Sequence, residues 1–272
     1  MSETSGTSDL KLSWLSKTFL EKVLKTSEQD DDIQVTKYDF GRATADGDNY
    51  TSVMYRVKVH YTTRGHSHSR SFVIKTLPTA ELMAQMVKEG KVFERESEAI
   101  SKITPSVYDI LRKAPGDQNS QQPFAAKCIY SQLEYPDIII VLEDLKEQGF
   151  RMPERTEGLE MDHCLLVLRT LAKYHAATAV LYEQNPELFE PFKENMFKEK
   201  DKDKWNKFYS GTINNLVSKI KNMPNFEEHF KIQLEKIETR WRDFNVFAHG
   251  DLWLNNIMFR YSESTGQVQD IR

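Results

Sequence analysis

His249-Gly250-Asp251-Leu252-Trp253-Leu254-Asn255-Asn256 is the stretch that decides how this chain reads. Strand-like residues stand on either side, at 246–248 and at 257–259, so the eight residues form a loop between two extended pieces. Inside the loop an aspartate is followed, five residues on, by an asparagine. A short loop can turn both side chains toward one point. There Asp251 could receive a proton from an attacking hydroxyl, and the amide oxygen of Asn256 could sit on a metal ion. Aspartate and asparagine are also ordinary turn formers, and the string by itself allows that plainer role.

An Asp and an Asn so spaced, on a loop after a strand, are the catalytic-loop pattern of phosphoryl transfer. Composition is compatible with it. The 272 residues suffice for one large domain or two lobes with a substantial core. Lys and Arg total 37 against 41 Asp and Glu, a formal charge of −4, which excludes a protein that grips nucleic acid through overall charge. Charged residues at 29% and hydrophobic residues at 39% mark a soluble globular chain and not a disordered one. The longest unbroken apolar run, 138–142, falls far short of the roughly 20 residues that span a bilayer. Cys128 and Cys164 suit a reducing compartment and read as buried structural thiols. Residues 1–9 are Ser/Thr-rich, with no basic or apolar segment of a secretory signal, and read as a disordered lead. The expected location is the cytoplasm.

Upstream, Leu12, Leu15, Phe19, Val23 and Leu24 recur at helical spacing. Asp30 to Asp32 read as a solvated loop, 33–40 as extended, and 41–49 as a turn-rich loop. Val53, Tyr55, Val57, Val59 and Tyr61 alternate with period two, the cleanest strand signal in the chain. A polar turn at 62–69 carries His66 and His68, which with no third ligand nearby fit a hairpin tip better than a metal site. A strand over 71–75 follows, ended by Pro78. The spacing predicts a long helix over 80–103 broken at Gly90, strands over 126–133 and 138–143, and a strongly apolar helix over 162–181. Further helices are predicted over 205–223 and 227–243. An antiparallel, α+β front half therefore joins a helical back half near 144–150.

His-Gly-Asp-Leu-Trp-x-Asn-Asn resembles the signature of the insect ecdysteroid kinase-like family, also called CHK kinase-like. That family belongs to the aminoglycoside phosphotransferase and choline kinase branch of the protein-kinase-like fold, where His-Gly-Asp replaces His-Arg-Asp. The resemblance implies a bilobal α+β fold: an N-terminal nucleotide-binding lobe over 1–145, with an antiparallel sheet, and a helical C-terminal lobe over 146–272. It implies ATP and Mg²⁺ as cofactors, and a small hydroxylated acceptor, an ecdysteroid or a xenobiotic. A monomer with no nucleic-acid partner and no membrane span is expected.

The resemblance also assigns residues. Phe72 to Pro78 is similar to the segment carrying the ATP-phosphate lysine, which gives Lys75 that role. Phe93-Glu94-Arg95-Glu96 resembles the family's Phe-x-x-Glu, so Glu96 is the partner chosen for Lys75, with Glu94 and Glu98 as competitors. Gly47-Asp48-Asn49-Tyr50 resembles the family's turn over the nucleotide; Gly47, Asn49 and Ser52 are the implied phosphate contacts, though a plain hairpin turn fits the same residues. Ile138 to Leu145 resembles the hinge, where backbone near Glu143 to Leu145 would meet adenine. Asp251 is the implied base, Asn256 the metal ligand, and His249 either a participant or a loop-shaping residue. His175, in Leu171 to Ala177, reads as a packed core histidine, and the aromatics Trp205, Phe208 and Tyr209 as core.

One part of the pattern is missing. The family continues through a β-ribbon to an Asp-Phe-Gln-like motif whose aspartate binds metal. Here Asp270 has no aromatic after it and falls a few residues early. The expectation is a truncated chain, slow or inactive as it stands, or a nucleotide- or ligand-binding pseudokinase without turnover.

Overall fold

The computed structural model describes residues 12–44, 51–114, 123–154, 156–193, 215 and 245–272. Helix α1 runs Lys17–Glu28. It starts later than the spacing predicts because Ser16 caps it: the Ser16 hydroxyl accepts from the Phe19 N–H at 3.1 Å. Leu12 and Leu15 precede the helix yet still pack against the same core. Leu20, Val23 and Leu24 are fully buried. Each contributes about 1.5–3 kcal/mol of apolar burial.

That burial is against a sheet. Strands β1 (Gln34–Arg42), β2 (Val53–Thr63), β3 (His66–Thr76), β4 (Cys128–Gln132) and β5 (Ile139–Glu143) pair antiparallel in the order β1-β2-β3-β5-β4. The period-two set Val53, Tyr55, Val57, Val59 and Tyr61 joins Phe72, Ile74, Ile139 and Val141 in the core under α1. The β2–β3 turn is tighter than the 62–69 loop read from sequence. Only Arg64 and Gly65 form it, both at positive φ (49° and 79°), the two-residue geometry that matches strand twist. His66 and His68 therefore lie within β3, and His68 stacks on Tyr61 across the pair.

The opposite face of the sheet carries Lys75, Val73 and Ser71, with Met54 and Arg56 directly across on β2 and Ile140 and Leu142 on β5. Ile140 and Leu142, on its β5 side, pack on the helical tract that follows β3. That tract is α2 (Glu81–Glu89), α3 (Val92–Glu98), a π turn (Ala99–Ile103) and α4 (Thr104–Lys113). The break expected at Gly90 is present, but Lys91, not the glycine, takes the left-handed conformation (φ 51°) and starts α3. The helix does not end at 103. The Thr104 N–H reaches back five residues to Ala99, and this wider turn precedes Pro105, whose ring nitrogen has no proton to give.

A 3-10 turn, Leu145–Gln148, leads out of β5 to helix α5 (Met161–Gln184), a second turn (Pro186–Phe189) and the short α6 (Glu190–Lys193). Ile103 and Val107 of the α4 region pack with Ala177, Leu181 and Phe189. A ribbon of β6 (Phe259–Tyr261) and β7 (Val268–Ile271) completes the described chain. The α+β architecture, an antiparallel sheet followed by helices, is that of a bilobal kinase-like fold.

Three expectations change. Residues 246–248 form no strand, and the strand expected at 257–259 begins only at Phe259. Cys128 and Cys164 are half-buried, not fully enclosed. By length and composition α5 would pass as a membrane-crossing helix, although no apolar run in the sequence suggested one; Arg169 and Lys173 lie within it, and its C-terminal half packs on α4. The helices expected over 205–223 and 227–243, with Trp205, Phe208 and Tyr209, lie outside the described residues.

Candidate functional site

Lys75 sits near the C-terminal end of β3, and Glu96 two residues from the end of α3. Their side chains meet: Lys75 Nζ is 2.5 Å from Glu96 Oε2, with both groups mostly buried (16% and 28% exposed). The ammonium also lies over the Phe93 ring, 5.7 Å from its centroid. Of the competing glutamates, Glu98 is paired instead with Lys102, one helical turn on. A lysine fixed in this way presents a pre-placed positive charge on the sheet face opposite α1.

The 249–256 loop is shaped by its own side chains. Asn256, at the end of a 3-10 turn (Leu254–Asn256), donates through Nδ2 to the Asp251 carboxylate at 2.8 Å and to the Asp251 carbonyl at 2.9 Å. Both bonds use the amide nitrogen, so neither uses the amide oxygen, the only atom of that side chain able to ligate a cation. Asp251 is solvent-exposed, so an acceptor can reach its carboxylate. His249 Nδ1 accepts from the Asp251 N–H at 3.3 Å, which ties the ring to the loop backbone and leaves the neutral ring's proton on Nε2. Solvent reaches part of the ring, yet surrounding protein desolvates it enough to lower its pKa. The charges of Asp251 and Glu96 pull the other way, and Lys75 adds to the lowering. The charges of the Lys75–Glu96 pair thus act on His249.

Gly250 holds the turn between His249 and Asp251 at φ +79°. A Cβ there would meet nothing within 4 Å, so the requirement is one of backbone conformation alone. Gly250→Ala is expected to cost about 1–2 kcal/mol in a urea titration and to misdirect Asp251. An unchanged midpoint would mean the loop has another resting shape.

The loop is anchored behind. Arg151, just past the hinge turn, and Phe259 exchange backbone hydrogen bonds of 2.9 and 2.8 Å. Arg151 also lies over the Tyr261 ring at 4.1 Å, and His163 of α5 bonds the Tyr261 hydroxyl at 3.0 Å. Ile257 and Phe259 pack with Leu159, Leu166 and Val167 around the start of α5. Helix and hinge thus fix the strand that leaves the catalytic-type loop.

Around the hinge, the Glu143 N–H already donates to the Lys127 carbonyl at 3.0 Å, and its carboxylate accepts from the Lys127 N–H and the Gln148 amide. The Leu145 carbonyl accepts from the Phe150 N–H at 3.1 Å. The residue that sequence reading passed over is Asp144, between them. Its side chain is 1% exposed and accepts from Arg56 Nε at 2.7 Å, Ser71 Oγ at 2.7 Å and the Lys146 N–H at 3.2 Å. Burial pushes its pKa up, but the Arg56 and Ser71 hydrogen bonds and the Arg56 charge outweigh burial and leave it below the usual carboxylate value. The available signal was an arginine amid the apolar alternation of β2, since a charge there needs a counter-charge.

Ser52 is buried (3% exposed), which leaves its hydroxyl little surface to offer a phosphate. Gly47 and Asn49 lie outside the described residues. His175 is half-buried on α5. Asp270 is held by Arg260 at 2.8 Å and Arg272 at 3.0 Å. Among the described residues no group of three or more His, Cys, Asp or Glu could hold a metal.

The model of the ecdysteroid kinase-like family matches residues 46–272. No curated protein and no solved structure matches the chain.

Proposed function

Because the chain belongs to the ecdysteroid kinase-like family, a family of kinase-like phosphotransferases, we propose that it moves the γ-phosphoryl group of ATP to a hydroxyl of a small lipophilic molecule. The observation that carries this reading is the pairing of Asp251 with Asn256 on one exposed loop, alongside a Lys75–Glu96 pair already formed on the sheet. The residues suit Mg-ATP: Lys75 would meet the α- and β-phosphates, and the Asn256 amide oxygen would help hold the cation. When bound, that complex supplies the phosphoryl group and neutralises its charge.

The protein's own part is placement and one proton. Glu96 keeps Lys75 extended over the sheet. Asn256 keeps the Asp251 carboxylate in one orientation through its N–H bond. Asp251 accepts the acceptor hydroxyl's proton as the oxygen attacks. His249, its proton on Nε2, holds the loop backbone. An apolar recess of about 460 Å³ adjoins the loop, lined by Leu159, Val167, Leu252, Trp253, Leu254 and Ile257. Its size and lining suit a lipophilic ligand such as an ecdysteroid or a hydroxylated xenobiotic. We place the protein in the cytoplasm, as a monomer.

The test is incubation of the purified chain with Mg-ATP and a panel of hydroxylated steroids, reading phosphorylated product by mass. Absence of product with every acceptor, together with no ATP-dependent rise in melting temperature, would end this reading. A second reading, nucleotide binding without turnover, draws on Asp270, whose carboxylate is engaged by Arg260 and Arg272. It predicts ATP binding that is indifferent to Mg²⁺ and yields no product. Under the first reading, Lys75→Ala lowers the turnover rate about 10²-fold, while an unaffected rate would remove Lys75 from the site.

A further inference from the structure

We propose that Arg56 is a base-binding residue of the nucleotide site, its guanidinium face forming the roof against which the purine ring stacks. The inference rests on the ATP reading above and adds a residue that the sequence alone did not mark.

The register sets the geometry. Met54 lies opposite Lys75, and Arg56 opposite Val73. Residues two apart on a strand share a face, so Lys75, Val73, Ser71, Met54 and Arg56 all project from the same side of the sheet. That Arg56 and Ser71 both reach the Asp144 carboxylate is consistent with this. Four residues of strand separate Lys75 from Ser71, about 13 Å. A ligand with its phosphates at Lys75 and its base at the hinge lies along that line, and Arg56 covers its hinge-side half.

The way Arg56 is held also matters. Asp144 engages Nε at 2.7 Å and Nη2 at 3.3 Å, which are atoms along one edge of the guanidinium. Those bonds fix the plane from one edge. Arg56 remains 32% exposed although its partner is 1% exposed. A planar cation with a fixed edge and an uncovered part is suited to stack on a π-system. Stability alone does not call for it, because an apolar pair of like volume usually serves as well as a buried ion pair.

The experiment compares ATP, adenosine and inorganic tripolyphosphate by calorimetric titration. The variant is the charge-neutral pair Arg56→Met with Asp144→Asn, in which the new amide oxygen can accept from the Lys146 N–H while the amide nitrogen donates to the Ser71 hydroxyl, since Asp144 meets those two groups through different oxygens. Arg56→Lys, which keeps the charge but not the plane, is the second variant, and melting temperatures report folding for both. The expected result is a loss of about tenfold in affinity for ATP and adenosine, with tripolyphosphate affinity unchanged. Equal affinity of wild type and a folded variant for ATP and adenosine would overturn the proposal. So would equal losses for all three ligands, because these mean a general disturbance of the lobe. Failure of the wild-type chain to bind ATP at all would instead remove the phosphotransferase reading, and this proposal with it.

Discussion

Replacing Asp251 by asparagine is expected to stop the proposed phosphotransfer and to leave the fold standing. The carboxylate is exposed and packs into no core, so its loss removes no apolar burial. Its bond from the Asn256 amide survives, because an asparagine oxygen accepts from the same N–H. What vanishes is the group able to take a proton from an alcohol. General-base contributions run to about 10²–10⁴-fold, and asparagine offers no substitute, so a drop near the upper end is expected. Product formation by mass and a melting curve, run side by side, make the check. Retained activity with an unchanged melting temperature would mean that another group takes the proton, and the role given to the 249–256 loop would be wrong.

Asp144→Ala is expected to damage stability more than any other single change considered. The carboxylate is almost fully enclosed and satisfies Arg56, Ser71 and the Lys146 N–H at once. Removing it leaves a half-buried guanidinium and a buried hydroxyl without their acceptor. Breaking one side of such a pair costs about 3–5 kcal/mol, a large share of a typical domain's stability of about 5–15 kcal/mol. Urea unfolding measures it, and Asp144→Asn, which retains an acceptor, should lose less. An acid dependence follows with a definite sign. Burial opposes ionisation, yet the Arg56 and Ser71 bonds win and the folded carboxyl titrates below its unfolded value. Its stabilising contribution is therefore complete above the unfolded pKa of about 3.9 and disappears as pH falls through the lower, folded one. Asp144→Asn should flatten the curve of stability against pH in that acid range and leave its slope unchanged near neutrality. A wild-type curve with no acid slope, or one that Asp144→Asn does not flatten, would contradict the assigned network.

Much of this was legible because it is local. The period-two run from Val53 to Tyr61 needs only a sheet with one apolar face to be a strand, and it is one. The loop chemistry of residues 249–256 was visible because Asp251 and Asn256 are five residues apart and meet through local geometry. Where local signals misled, a neighbour intervened. Leu12 and Leu15 carry the spacing of a helix, but the Ser16 cap sets the start of α1 after them. At Gly90 the expected break is present, and it is the neighbouring Lys91 that takes the left-handed conformation.

By itself, then, the sequence determined the family, the α+β class, the five strands of the sheet and the loop on which a proton acceptor would stand. Those follow from alternation, spacing and residue type, which act within a few residues. Tertiary packing decided which of three helical glutamates meets Lys75, and that Arg56, Ser71 and Asp144, as many as 88 residues apart, close on one another. Pairings over such separations are set by sheet register and by how a helix lies on the sheet. Neither is encoded in any short stretch of chain, and both come from the need to bury one face and to give every enclosed charge a partner.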